Sequence, residues 1–166
     1  HYLENHMWVE KHESTLRIGL DNFGQYVLGE IKNVVLRSKG ERIDPKDWFI
    51  KIEVREGSFE LCLPVKAKIV DVNEELKNFP LMINMDPYGA GWIADIATEE
   101  TPQAIGPEKA IGLLERDTLR FHNMVQGSNN VHMPDGGEFV KDVRTKIEDR
   151  ERIRNMVREF LKGKEV

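Results

Sequence analysis

Five histidines and one cysteine are the side chains that could bind a metal or act as nucleophiles. His1, His6 and His12 scatter around the start of an expected strand, while His122 and His132 fall at a helix end and in a loop. No HExxH, CxxC or matched ligand pair results, so these histidines read as solvated or packing residues. Cys62 has no neighbouring base and lies in the alternating run Phe59-Glu60-Leu61-Cys62-Leu63, the pattern of a half-buried strand cysteine. Gly89-Ala90-Gly91 lacks the Lys-Ser/Thr pair and the following helix that a phosphate-binding loop needs. Tyr88 to Trp92 therefore reads as a turn between aromatic anchors. Asp95, Glu99 and Glu100 are explained as a solvated strand end and loop. No catalytic residue and no metal site is expected.

The elements that would position any site divide by texture near Glu99 to Pro107, β before the break and α after it. Strand-like stretches are Trp8–Glu10, Leu16–Ile18, Asn33–Leu36, Trp48–Val54, Phe59–Leu63 and Ala67–Val72. Turns at Ser38-Lys39-Gly40, Asp44-Pro45-Lys46 and Arg55-Glu56-Gly57 separate them, which suggests a small barrel or sandwich. Two short helices interrupt the strands. One is capped by Asp21, carries Phe23, Tyr26 and Val27, and ends before Gly29; the other follows Asn73 as N-cap. Pro107 suits a first helical turn, and Ile111, Leu114, Thr118, Phe121 and Val125 recur at helical spacing. Phe139, Val143, Ile147, Ile153, Val157 and Phe160 form a last apolar stripe, expected on one charge-rich helix that covers either its own domain or a partner. The expected division is a barrel-sandwich unit over 1–105, a packing helix over 106–126, a loop over 127–137 and an amphipathic helix over 138–166.

The 166 residues carry 24 Lys and Arg against 29 Asp and Glu, a net charge of -5. That balance leaves no cation excess to neutralise a phosphate backbone, so a nucleic-acid partner is not expected. No apolar run is long enough to span a membrane, and no membrane partner is expected. One cysteine and a highly charged composition favour the cytoplasm.

Ile69-Val70-Asp71-Val72-Asn73-Glu74-Glu75-Leu76, followed by Asp86-Pro87-Tyr88-Gly89-Ala90-Gly91-Trp92-Ile93, resembles the glycine cleavage system H protein family. In that family a V-x-V-N-x-x-L stretch precedes a D-P-Y-G-x-G-W signature. His6-Met7-Trp8-Val9 resembles the family's opening H-E-W-V, and Arg17–Asp21 with Leu28–Ile31 resembles its next block. The similarity covers about His1 to Thr98. It implies the lipoyl/biotinyl barrel-sandwich hybrid, mainly β with helical additions. It also implies a carrier rather than an enzyme, bearing lipoate on a hairpin lysine and meeting the protein components of a lipoate-dependent system.

The family's hairpin pattern E-S-V-K-A, with a proline eight positions after the lysine, is matched by Glu53 and Pro64. The intervening residues are Glu53-Val54-Arg55-Glu56-Gly57, so the lysine position is Glu56. A carboxylate cannot form the amide to lipoate, and the Arg55 guanidinium stays protonated and is a poor nucleophile. Ile52 to Val65 contains no lysine. Asn73, Asp86, Pro87, Tyr88, Gly89, Gly91 and Trp92, which would support the fold, remain. The resemblance therefore implies a homologue without a lipoyl cofactor, an interaction, regulatory or assembly subunit. Phe139, Val143, Ile147, Val157 and Phe160 are its candidate partner contacts. A carrier modified on another lysine, such as Lys51, Lys66 or Lys68, is the alternative.

Overall fold

A computed structural model describes residues 1–126 and 149–166. Strands β1 (Met7–His12), β2 (Thr15–Leu20), β3 (Ile31–Leu36), β4 (Arg42–Ile43), β5 (Trp48–Val54), β6 (Gly57–Cys62), β7 (Ala67–Val72), β8 (Ala94–Ala97) and β9 (Lys164–Glu165) build two sheets. Their orders are β1-β2-β8-β7-β4 and β3-β5-β6-β9, with antiparallel pairing throughout. This is the expected two-layer β architecture. Alternation sends Ile50, Ile52, Val54, Phe59 and Leu61 inward from one sheet and Ile18, Leu20, Ile69 and Ile96 from the other. A register shift between Ile69 and Asp71 re-phases β7, so that Val72 is buried and Asp71 is left at the surface edge.

Helix α1 (Asn22–Leu28) starts where the sequence placed it, because Asp21 Oδ1 accepts the Gly24 N–H at 2.7 Å. It stops at Gly29, whose φ of 78° the missing side chain permits. A single 3₁₀ turn follows at Glu74–Lys77, then the four-residue α2 (Met82–Met85). Asn73 does not cap that turn; its side chain is used elsewhere, as described below.

Helix α3 (Pro107–Gln126) buries Leu113, Asp117, Phe121 and Val125, while Ile111 is 59% exposed. The inward face is thus rotated from the expected one: only Phe121 and Val125 of the expected stripe are deeply buried. The rotation follows from the polar Asp117, which is drawn inward by His6.

Helix α4 (Arg150–Leu161) begins at Asp149, an extended residue whose side chain accepts from the Glu151 N–H at 2.9 Å. One helix from 138 to 166 is therefore corrected: an N-cap interrupts it at 149, and left-handed Lys162 ends it before β9. Val157 and Phe160 are 0% and 1% exposed and sit in the core of their own chain. These two residues are spent on the fold, which corrects their assignment as partner contacts. Phe139, Val143 and Ile147, and the loop expected over 127–137, lie outside the described residues.

Phe160 packs edge-on to Phe23 of α1 at 5.2 Å and lies 6.4 Å from Phe121 of α3. Phe160→Ala should cost about 3–5 kcal/mol, read as a lower urea midpoint at unchanged slope. A cost below about 1 kcal/mol would show that α4 is not part of the cooperative core.

Candidate functional site

The hairpin expected from the sequence is present: β5 and β6 pair from Trp48↔Cys62 to Val54↔Gly57, leaving Arg55 and Glu56 as a two-residue loop. Glu53 is exposed on β5, while Val54 is 3% exposed and packs in the core. The two residues of the tip differ in exposure. The Glu56 side chain is 5% exposed, with Arg55 Nη2 3.3 Å from its Oε1. A buried carboxyl group needs polar partners in place of water, so the Glu56 position is an enclosed polar site while Arg55 stays exposed.

The C-terminal segment runs along the returning strand of this hairpin. Strand β9 pairs with β6 through Phe59↔Glu165 and Glu60↔Lys164, and the Val166 N–H donates to the Ser58 carbonyl at 2.9 Å. Arg150 Nε donates to Glu165 Oε1 at 2.8 Å, and Arg154 contacts the same carboxylate. Burial alone would raise the Glu165 pKa, but the two guanidinium groups outweigh it and leave it below the usual carboxylate value. Gly57 lies against this ion pair; a Cβ there would sit 3.4 Å from Glu165 Oε1 and 3.6 Å from Arg150 Nε.

The alternative lysines lie elsewhere. Lys51 is mid-strand, its Nζ 2.7 Å from Glu60 and 4.9 Å from the Trp48 ring centroid. Lys66 follows β6, with its Nζ 3.8 Å from Asp44, and Lys68 is exposed on β7. Cys62 is partly exposed on β6, as expected, and burial pushes its thiol pKa up, away from a reactive thiolate. Among the described residues no group of three or more His, Cys, Asp or Glu could hold a metal.

The motif residues Asn73 and Asp86–Trp92 form a closed knot. Asn73 Nδ2 donates to the carbonyls of Ala90 and Trp92 at 2.8 Å each, clamping the turn that precedes β8. Asp86 Oδ2 accepts the Ala90 N–H at 2.8 Å, and Trp8 Nε1 donates to the Pro87 carbonyl at 2.9 Å. Gly89 and Gly91 are required by proximity, since a Cβ would fall under 3.0 Å from the Asp86 carboxylate or the Met82 carbonyl. Arg17 stacks 4.1 Å from the Trp92 ring centroid and forks onto Asp95 at 2.8 and 2.9 Å. Asp95 is therefore a buried ion-pair partner rather than a solvated strand end. Tyr88 is 45% exposed, and its hydroxyl accepts the Asn22 N–H at 3.3 Å.

A second polar centre was not legible from the sequence. His6 is 1% exposed and places Nδ1 2.9 Å from Asp21 Oδ2 and Nε2 3.1 Å from Asp117 Oδ2. Carboxylates only accept, so the ring must donate from both nitrogens and carry a positive charge. Burial favours neutral His6, but its bonds to Asp21 and Asp117 and their charges prevail and raise its pKa above 6.5. Burial likewise works to raise the Asp117 pKa; Arg116, bound through two nitrogens, and His6 override it and lower it. The one hint in sequence was an acid at 117 inside the apolar face of a helix. A cavity of about 220 Å³ opens beside this centre, lined by Tyr2, Phe23, Tyr88, Ile111 and Leu114 among others.

Two antiparallel sheets with a two-residue hairpin, closed by a glycine-rich turn, define a domain of the barrel-sandwich class. The chain matches the model of the Glycine cleavage H-protein family over residues 1–110, and it belongs to that family. A probable glycine cleavage system H protein of Sulfurisphaera tokodaii is 33% identical over 121 residues, 72% of this chain and 88% of that protein. One from Natronomonas pharaonis is 36% identical over 98 residues, covering 59% and 78%. The glycine cleavage system H protein of Mycobacterium tuberculosis is 30% identical over 121 residues, covering 72% and 90%. A crystal structure of a glycine cleavage system H protein from Mycobacterium marinum shares the fold with a TM-score of 0.60 at 24% identity, covering 67% of this chain and 92% of that one. The family is one of carriers, and the chain is not itself an enzyme.

The His6 centre generates a pH prediction. Its folded pKa is raised, so its stabilisation is fully present below the ordinary value of 6.5 and is lost as pH rises through the folded value. Asp117 sets the opposite limb: its contribution is present above the ordinary 3.8 and is lost as pH falls through its lowered value. The Tm advantage of the native protein over His6→Gln should therefore shrink by a few degrees between about pH 6 and about pH 9. A constant advantage across that range would show that His6 is not charged in the fold.

Proposed function

We propose that this protein is a non-lipoylated member of the H-protein family, acting through protein contacts as an interaction, regulatory or assembly subunit near a lipoate-dependent system. The observation that carries the reading is the tip of the β5–β6 hairpin, which offers Arg55 and Glu56 where the family resemblance puts a lysine. A lipoyl amide needs an amine nucleophile on an accessible turn, and this loop provides a buried carboxylate beside a guanidinium. The residues present do not fit the cofactor, and no lipoate is assigned.

Residues 1–105 form the H-protein-like unit in this reading, with 106–126 as the helix that packs on it. Contact with a partner falls to surfaces other than the buried face of α4, with Phe139, Val143 and Ile147 retained as candidates. The partners are proteins. Neither the charge balance nor any helix of the described residues points to nucleic acid or a membrane span. A cytoplasmic setting accords with one unpaired cysteine.

Coexpression with lipoate-attaching enzymes and lipoate, followed by intact-mass measurement, tests the proposal. The expected mass is that of the bare chain, beside a fully modified lipoyl domain as control. A stoichiometric lipoyl adduct mapped to Lys51, Lys66, Lys68 or any other lysine would replace this reading with a carrier function.

A further inference from the structure

We infer that the C-terminal segment from Lys162 onward acts as a cis-acting seal on the β5–β6 hairpin, so that acylation at position 56 is slowed whatever residue occupies it. The inference rests on the reading that this hairpin is the counterpart of a carrier site. It adds a second, steric barrier to the chemical one.

Three observations place the seal. The edge of β6 that an incoming protein would read is already paired, through Phe59↔Glu165, Glu60↔Lys164 and the Val166 N–H on the Ser58 carbonyl. The ion pair of Arg150 with Glu165 lies within van der Waals reach of Gly57, the residue next to the loop. The Glu56 side chain is 5% exposed at a hairpin tip, whereas its loop neighbour Arg55 is 55% exposed. A swinging-arm attachment point needs the reverse.

The seal has an identifiable seat. Gly163 turns the chain from α4 into β9, its N–H donating to the Val157 carbonyl at 3.2 Å. A Cβ at this position would lie under 3.0 Å from Val157 and Leu61 and 3.1 Å from the Glu60 carbonyl. A side chain here would have to displace Val157 and Leu61, so glycine lets the segment settle closely against β6. Gly163→Val is accordingly a wedge that lifts β9 while Ile153, Met156, Val157, Phe160 and Leu161 hold α4 in the core. Glu165→Lys removes the seal by a different route, replacing the carboxylate shared by Arg150 and Arg154 with a third cation.

The test gives the site the amine it lacks. In a Glu56→Lys chain supplied with a lipoate-protein ligase and lipoyl adenylate, the neutral Nζ attacks the acyl carbon. A C–N bond forms, the acyl–phosphate C–O bond breaks, AMP leaves, and the amine's proton passes to solvent. No electron transfer is involved. Glu56→Lys alone should be modified slowly, and Glu56→Lys combined with Gly163→Val or Glu165→Lys about tenfold faster or more, because only the opened fraction of a sealed site reacts. Release of the segment is read independently as faster exchange of the Val166 amide, and circular dichroism checks that α4 persists.

Equal rates in the single and double variants would overturn the seal, as would no modification of a double variant whose Val166 amide has been freed. Modification of the native chain itself is a separate result, and it overturns the non-lipoylated reading beneath this inference.

Discussion

Phe160 meeting Phe23 and Phe121 is the contact on which the rest of this architecture turns. It joins three helices from distant parts of the chain: α1 between the first strands, α3 after the sheets, and α4 near the end. A fully buried phenylalanine at such a crossing contributes several kcal/mol through burial and packing, more than the two-residue β9 could supply alone. The order of dependence follows from those sizes. The aromatic contact fixes α4, left-handed Lys162 ends it, Gly163 allows the close approach, and only then can Lys164 and Glu165 reach the edge of β6. His6 binds the same region from the other side, since Asp21 caps α1 while Asp117 belongs to α3. The His6 ring also lies 4.4 Å from Phe23, so the ionic and aromatic centres share a wall.

How far the sequence discloses this structure depends on how local each determinant is. Strands β5 and β7 have the bounds read from alternation, and α1 has the cap and stop read from Asp21 and Gly29, because propensity and turn residues act over a few positions. β4 and β9 escape that reading: two-residue strands have no period, and each exists only because a longer strand offers it an edge. The face of α3 was misjudged for the opposite reason. An apolar stripe through Ile111 and Leu114 is a fair helix pattern, but the ion pair with His6 pulls Asp117 inward and outranks it. The hairpin and its Arg55-Glu56 loop were legible, and the burial of Glu56 was not. The pairing of β6 with β9 joins residues about a hundred positions apart in sequence, which local pattern cannot report.

The two halves of the family resemblance do different physical work. Asn73, Asp86, Gly89, Gly91 and Trp92 satisfy one another's backbone groups in a turn that would be needed whatever the hairpin carried. Each depends on a short distance or a missing Cβ, so substitution there costs folding free energy directly. The loop at positions 55 and 56 is under no such obligation, since neither residue takes a positive φ that would restrict its side chain. Similarity that rests on the knot therefore certifies the scaffold, and is silent on the chemistry of the tip.

A tethered arm makes two demands on its attachment point, an amine to bear it and free space for it to sweep. The first is a matter of one side chain and can change in a single step. The second is a property of packing, and here the demand is inverted: a carboxylate at the tip is 5% exposed and must be held by the charges around it. Beside it, the edge of β6 is paired with β9, and the arginines of α4 gather on Glu165. A tip built to hold a charge still is poorly suited to swinging a cofactor. In the proposed reading, the joining of the C-terminal segment to the hairpin matters as much as the residue at position 56.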